Sequence, residues 1–179
     1  MDQGFADKNF RFIELDLDMV VKRKIKKIKS SKKISQLFER LQLKPSFAEQ
    51  NNTLSLGDKY TIASCDLSDL SQFRQVIDEH KINPKLPTFF YAECVLSYIN
   101  ADQVDDLMGF INQNFNLAFV FDYEMYNPSD RFGQMMVKNF DQRGCPLVGI
   151  YKYQEIRHQH ERYSKNGFKN TEVYTMKDV

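Results

Sequence analysis

The chain has 179 residues, a length that suits one domain with a sizeable core. Hydrophobic residues make up 42% of the chain, charged residues 27%, and the formal net charge is +1, which argues against a globally cationic nucleic-acid binder. No apolar run approaches the ~20 residues of a membrane helix, and no signal peptide is visible at the amino terminus, so we expect a cytoplasmic protein.

The first part of the chain alternates between strand and helix patterns. In order, it predicts a strand over 10–16, helices over 19–29 and 34–43, a loop over 44–57, a strand over 60–65 and a helix over 68–77. Val21, Ile25 and Ile28 lie at helical spacing and predict the inner face of the first helix. Proline, asparagine and glycine residues favour the loop.

The second part continues the alternation. In order, it predicts a strand over 86–92, a helix over 100–115, a strand over 117–121, helices over 130–143 and 153–166, and the start of a strand at 172–174. Asn100 is placed to cap its helix in a capping box with Gln103, and Gly144 and Gly167 are placed to end theirs. The inner stripe of the helix after Asn100 consists of five apolar residues: Val104, Leu107, Met108, Ile111 and Phe115.

Strands alternating with helices predict an α/β fold with a mostly parallel sheet, in a single domain over 1–179. Ligands of such sheets bind beyond the carboxyl ends of the strands. Three acids, Asp16, Asp66 and Glu93, each stand at or just past a predicted strand end. They are therefore the first candidates for a binding site.

Each acid has a plausible ligand and a plausible structural role. Asp16 suits a ribose, because a carboxylate accepts hydrogen bonds from both hydroxyls. Asp66 suits an adenine amino group, and Glu93 an ammonium or a sulfonium. Alternatively, the three acids cap the helices that follow them, where a carboxylate faces the positive end of the helix dipole. Position alone leaves both interpretations open.

Short strings distributed along most of the chain carry a resemblance to one family. They are FIELD at 12–16, DLSDL at 66–70, LPT at 86–88, AECVLSY at 92–98, YE at 123–124, DRFGQMM at 130–136 and NGF at 166–168. In this order they resemble the leucine carboxyl methyltransferases. The resemblance implies a Rossmann-like class I methyltransferase sheet with helices on both faces.

The resemblance also implies a reaction. The family transfers a methyl group from S-adenosylmethionine to the C-terminal leucine carboxylate of the type 2A protein phosphatase catalytic subunit. That subunit is then the expected partner, and nucleic acid is not expected. A related branch methylates the wybutosine base of transfer RNA and is the nearest alternative.

Roles carry over to the positions that match the motifs. Asp16 would hold the ribose, Asp66 and the backbone of Leu67 the adenine, and Glu93 the methionine end of the donor. Tyr98 is the candidate on the substrate side. Glu124 and Arg131 match the family without an assigned role, and pairing between these two opposite charges is the simplest expectation.

The family's first strand, its glycine-rich turn and an upstream arginine have no counterpart in this sequence. We therefore expect an internal segment of the enzyme, lacking also the carboxyl-terminal end. Two outcomes stay open: an active methyltransferase, or a non-catalytic binding remnant, since the missing glycines let the backbone approach the cofactor. Without a central strand, the apolar run 86–92 is expected to promote self-association or insolubility.

Three further features do not change this interpretation. The basic run Lys22–Lys33 matches a nucleic-acid or anionic-lipid patch, but a solvated helix face is favoured because the global charge is balanced. His158 and His160 are two residues apart and do not share a helix face, so no metal site is expected. Cys65, Cys94 and Cys145 are widely spaced, which is typical of reduced thiols rather than a disulfide framework.

Overall fold

A computed structural model describes residues 10–48 and 52–179 of the chain. The chain forms two compact units, Met1–Asp66 and Leu67–Val179. Both units combine helices with strands, which confirms the predicted α/β class. In the described ranges, no helix is both long enough and apolar enough to cross a membrane.

The first unit is a four-stranded sheet with two helices. Its elements are β1 (Phe12–Asp16), α1 (Asp18–Ser30), α2 (Lys32–Arg40), β2 (Pro45–Ala48), β3 (Thr53–Leu56) and β4 (Tyr60–Ser64). The strand order is β1-β4-β3-β2. β1 and β4 are parallel, whereas β3 is antiparallel to both of its neighbours, so this sheet is mixed rather than mostly parallel.

The core of this unit lies between α1 and the sheet. Val21 and Ile25 of α1 are buried together with Leu54 of β3 and Ile62 of β4, and Ile28 packs against this cluster. The predicted inner face of the first helix is therefore confirmed. Each fully buried aliphatic side chain of this kind contributes about 1.5–3 kcal/mol to folding.

The predicted loop over 44–57 was wrong, because its two ends pair as the hairpin β2–β3. Each strand has only four residues, too few for an alternating pattern to stand out beside turn-forming residues. Pro45 is compatible with the sheet because it is the first residue of an edge strand, where no ladder donor is lost. Leu54, fully buried in the core, anchors the hairpin.

The second unit contains a two-stranded parallel sheet and four α-helices among its described residues. Its elements are α3 (Leu70–Glu79), β5 (Thr88–Glu93), a 3-10 turn (Leu96–Tyr98), α4 (Ala101–Asn114), β6 (Ala118–Tyr123), α5 (Arg131–Gln142) and α6 (Ile156–Lys165). β5 pairs with β6 residue by residue from Thr88 with Ala118 to Glu93 with Tyr123.

Aromatic contacts join one face of this sheet to the flanking segments. The ring of Phe90 in β5 contacts Phe73 of α3 and Phe115, which follows α4, at centroid distances of 6.5 and 5.0 Å. All five residues of the predicted stripe of α4 are buried, which confirms that face of the helix.

Most helix ends follow the sequence signals. The Asn100 side chain accepts a hydrogen bond from the Asp102 backbone N–H, and Gly144 and Gly167 adopt φ of 72° and 95°. The predicted capping box between Asn100 and Gln103 was wrong, because the Gln103 side chain donates instead to the Ser68 carbonyl.

The strand predicted at 172–174 was also wrong, since these residues are irregular. The Tyr174 hydroxyl donates to the Glu172 carboxylate, and the tyrosine is exposed. Val173 is the only aliphatic residue of the three, which is too little apolar surface to anchor a strand.

The other face of the β5–β6 sheet is aromatic and exposed. Tyr91 and Phe121 stack with ring centroids 5.4 Å apart, and 58% and 48% of their surfaces are accessible. Phe89 and Phe119 extend the same face, with 64% and 54% exposed. A contiguous apolar patch of this kind is a typical protein interaction or aggregation surface.

We therefore expect the purified chain to self-associate through this aromatic face, as measured by sedimentation velocity across a concentration series. The double substitution Phe119→Ser and Phe121→Ser should shift the population toward monomer. Phe132→Ser, which removes an exposed aromatic residue from α5, is the matched control and should leave association unchanged. A monodisperse wild-type monomer that melts cooperatively above ~50 °C would contradict this expectation.

Candidate functional site

In the first unit, the parallel pairing of β1 with β4 brings two candidate acids to one edge of the sheet. Asp16 ends β1 in register with Ser64, and the Cys65 N–H donates to the Asp16 carbonyl at 2.9 Å, one residue beyond the strand. Asp66 follows directly. The carboxyl ends of β1 and β4 therefore present both acids at neighbouring positions, as the sequence predicts.

The Asp16 side chain combines a local contact with an exposed oxygen. Its Oδ1 accepts a hydrogen bond from the Leu17 N–H at 2.8 Å, at the start of α1. Its other oxygen, Oδ2, has no hydrogen-bond partner within 10–48 and 52–179. The alternative role of supporting the helix start is thus met by one oxygen, and the other remains able to accept a hydrogen bond from a ligand.

Glu14, two residues earlier in β1, has a different role. Its carboxylate accepts hydrogen bonds from the Tyr60 hydroxyl at 2.6 Å and from Lys24 of α1. Burial opposes its ionisation, but the contacts with Lys24 and Tyr60 outweigh burial and lower the pKa of Glu14. Glu14 is therefore an ionised group that ties the sheet to α1.

In the second unit, the segment that carries Leu67 is held by two hydrogen-bonded side chains. Asp69 caps α3, accepting from the Ser71 N–H at 2.9 Å, and Gln103 of α4 donates to the Ser68 carbonyl at 2.9 Å. The backbone that follows Leu67 is thus held by two contacts.

Glu93 and Tyr98 stand at the two ends of the turn that follows β5. Glu93 is exposed and accepts a hydrogen bond from the Tyr91 hydroxyl at 2.7 Å. Tyr98 is 37% exposed, and its ring meets that of Phe140 edge-on at 5.9 Å. Partial burial raises the pKa of the Tyr98 hydroxyl, so it remains a protonated donor at neutral pH.

Glu124, directly after β6, was not predicted to contribute to this turn. Its Oε1 accepts from the backbone N–H groups of Val95, Leu96 and Ser97, and its Oε2 accepts from the Ser97 hydroxyl. The expected pairing with Arg131 was wrong, because the carboxylate is occupied by these four donors. Only the YE string at 123–124 singled out this residue in the sequence.

A second group that the sequence analysis missed lies on the face of β6 opposite the exposed aromatic side chains. Asp122 of β6 accepts from the Tyr163 hydroxyl at 2.5 Å, and burial raises the pKa of Asp122 to about 6, with the Arg162 charge acting in the opposite direction. Arg162 is 3% exposed, and its guanidinium lies 5.0 Å from the centre of the Tyr153 ring. Nothing in local spacing relates Asp122 to Tyr163, because the two residues are 41 positions apart.

Three lysines of the basic run make contacts within the protein. Lys22 pairs with Asp18 at 2.6 Å, Lys24 bonds to Glu14, and the Lys29 ammonium lies 4.3 Å from the Phe47 ring centre. The other basic side chains of α1 are exposed, along a helix whose inner face is apolar.

The two histidines of α6 have local partners. The Nδ1 of His158 accepts the Glu155 N–H in a capping box, and His160 contacts Ser164 one turn later. Within the described ranges, no group of three or more potential metal ligands occurs.

Asp122 makes the stability of the fold depend on pH in an unusual direction. Its pKa rises from an ordinary 3.8 to about 6, so the folded state binds the proton more tightly than the unfolded chain. The contribution of Asp122 is therefore fully present below about pH 4 and is lost as the pH rises through about 6.

We expect Asp122→Asn to gain stability relative to wild type as the pH rises from 4 to 7, by on the order of 1–3 kcal/mol at about 1.4 kcal/mol per pKa unit. Urea denaturation at four pH values in this range measures the difference between the two proteins. Parallel curves for wild type and variant would contradict the raised pKa.

Comparisons with known proteins place this geometry in context. A family model described as leucine carboxyl methyltransferase matches residues 4–112. Leucine carboxyl methyltransferase 1 of Rattus norvegicus is 31% identical over 179 residues, covering 99% of this chain and 53% of that protein. The homolog of Arabidopsis thaliana is 31% identical over 168 residues, covering 94% of this chain and 49% of that protein.

A more distant similarity involves a second group of proteins. The tRNA wybutosine-synthesizing protein 4 of Homo sapiens is 28% identical over 159 residues, covering 87% of this chain and 22% of that protein. The chain spans about half the length of the two leucine carboxyl methyltransferase relatives described above. The family match includes all the predicted site residues, whereas Glu124 lies beyond it.

Proposed function

The chain belongs to the leucine carboxyl methyltransferase family, and from this we propose that it methylates the C-terminal leucine carboxylate of the type 2A protein phosphatase catalytic subunit, using S-adenosylmethionine. The observation that carries the proposal is the placement of family-matched acids at the carboxyl ends of parallel strands, where α/β sheets bind ligands. The Rossmann-like methyltransferase fold is consistent with this placement.

The three acids fit the donor chemically. S-adenosylmethionine presents ribose hydroxyls, an adenine amino group and an ammonium, all of which donate hydrogen bonds, and it supplies a methyl group activated by a sulfonium. Asp16 retains an unpartnered oxygen within the described ranges, and Glu93 is exposed at its strand end. An ionised carboxylate only accepts hydrogen bonds, so it matches these donor groups.

We assign the roles accordingly. Asp16 accepts from the ribose hydroxyls, Asp66 accepts from the adenine amino group beside the backbone of Leu67, and Glu93 attracts the charged methionine end. Tyr98 stands on the substrate side. Its raised pKa keeps the hydroxyl protonated, so it can orient a carboxylate by donating a hydrogen bond without neutralising it.

The substrate needs no general base, because a carboxylate with a pKa near 4 is already ionised at neutral pH. Its oxygen would attack the methyl group in line as the sulfur–methyl bond breaks. The sulfonium would leave as a neutral thioether, so that a positive and a negative charge disappear together. A site from which water is excluded favours that loss of charge. The work of the protein is therefore to position the two reactants.

Incubating the chain with methyl-labelled S-adenosylmethionine and the phosphatase catalytic subunit should label the subunit at its terminal carboxyl. The methyl group would be attached through an ester bond, so mild base should release it. A catalytic subunit without the terminal leucine is the matched control and should remain unlabelled. Equal labelling of both subunits would contradict the proposed substrate. Donor binding without labelling would instead favour the non-catalytic binding remnant.

Two acids of the same strand offer a sharper test of the donor site. We expect Asp16→Ala to weaken S-adenosylmethionine binding by on the order of 1–3 kcal/mol, about 5- to 150-fold in Kd, because a carboxylate–hydroxyl pair is lost. Glu14→Ala should mainly lower the melting temperature, because it loses its contacts with Lys24 and Tyr60. Calorimetric titration of both variants measures the difference. Equal weakening would contradict the ribose role of Asp16.

A further inference from the structure

The turn after β5 is shaped by a carboxylate from the neighbouring strand. Glu93 is in register with Tyr123, and the Cys94 N–H donates to the Tyr123 carbonyl at 2.8 Å, so the chain leaves β5 directly beside Glu124. Cys94 then adopts φ of 52°, a left-handed conformation that few residues other than glycine populate. The backbone reverses there and directs its next three N–H groups to one point.

Those three N–H groups surround the Glu124 carboxylate. Oε1 lies 2.7 Å from the Val95 nitrogen, and the Leu96 and Ser97 nitrogens donate to the same oxygen. Consecutive N–H groups in a turn form a concave anion site, and here a side chain of the protein occupies it. Leu96 and Ser97 are buried, so without Glu124 their donors would lack water as well as a partner.

The carbonyl side of the same turn is held by Gly149. Its N–H donates to the Ser97 carbonyl at 2.9 Å, and a Cβ at this position would lie 2.2 Å from the Ile99 carbonyl oxygen. Only glycine allows so close an approach. The turn from Cys94 to Ile99 is thus clamped between Glu124 and Gly149.

Glu93 and Tyr98 lie at the two ends of this clamped turn. A rotation of the backbone at Cys94 would move Tyr98 relative to Glu93, because Glu93 itself is held in the strand pairing opposite Tyr123. We propose that Glu124 is a positioning residue that holds Tyr98 in place relative to Glu93, and so governs affinity for donor and for substrate. This inference rests on the proposed function for those two residues.

The test measures donor affinity and local order separately. Wild type, Glu124→Ala, Glu124→Asp and Glu124→Gln are titrated with S-adenosylmethionine by calorimetry, and amide hydrogen exchange is followed at residues 95–97. Asp105→Ala is the matched control. Asp105 is a partly buried carboxylate of α4 that accepts hydrogen bonds from Lys152, Tyr153 and Lys165, none of which belongs to the turn.

We expect Glu124→Ala to raise the donor Kd by about tenfold or more, the effect of losing buried hydrogen bonds. Exchange at 95–97 should accelerate. Glu124→Gln should keep the donor Kd within about threefold of wild type, because its amide oxygen can still accept from the turn. Asp105→Ala should lower the melting temperature without changing donor affinity. An unchanged donor Kd in Glu124→Ala, with a similar loss of melting temperature, would overturn the positioning role.

Two further outcomes are also decided by these measurements. If Glu124→Ala does not fold, Glu124→Asp replaces it, because the shorter side chain keeps the charge but withdraws it from the N–H groups. If wild type binds no donor, the proposed function fails. Hydrogen exchange at residues 95–97 alone then decides whether Glu124 positions the turn. Faster exchange in Glu124→Asp than in Asp105→Ala would support the positioning of the turn, and equal exchange would overturn it.

Discussion

Parallel pairing of neighbouring strands decides where this protein can present a binding site. In the first unit β1 pairs with β4, and in the second β5 pairs with β6, each in exact residue register. In both pairs the ladder extends one residue beyond the strands, through Cys65 to Asp16 and through Cys94 to Tyr123. In each pair the two strands therefore end side by side. The acids that follow those two strand ends lie at the same edge of their sheet.

The acids within and directly after these strands divide into two kinds by the number of hydrogen bonds they already accept. In Glu14 and in Glu124 both carboxylate oxygens already accept hydrogen bonds from donors of the protein, and each residue joins parts of the chain that are distant in sequence. Asp16 accepts one backbone N–H, and Glu93 one exposed hydroxyl. A carboxylate that is already satisfied shapes the site, whereas one with a remaining lone pair can bind a ligand.

The second unit combines a polar interior group with an apolar exterior. Its interior contains the Tyr163–Asp122 hydrogen bond and the buried Arg162 side chain. Burying charged groups of this kind adds little to the free energy of unfolding compared with hydrocarbon side chains. On the opposite face of the same strands, aromatic side chains remain exposed. Burial on one face only leaves this sheet with less hydrophobic stabilisation than a strand pair covered on both.

Features that depend on near neighbours could be predicted from the amino-acid sequence. The inner faces of α1 and α4, the Asn100 cap and the acids at strand ends all follow from residues within a few positions. Three features became visible only in the folded chain: the β2–β3 hairpin, the hydrogen bond from Gln103 to Ser68, and the Glu124 carboxylate in the turn after β5. The physical reason is that a hydrogen bond between residues 28 or 35 positions apart leaves no periodic trace in the chain, since its geometry exists only after the strands have paired.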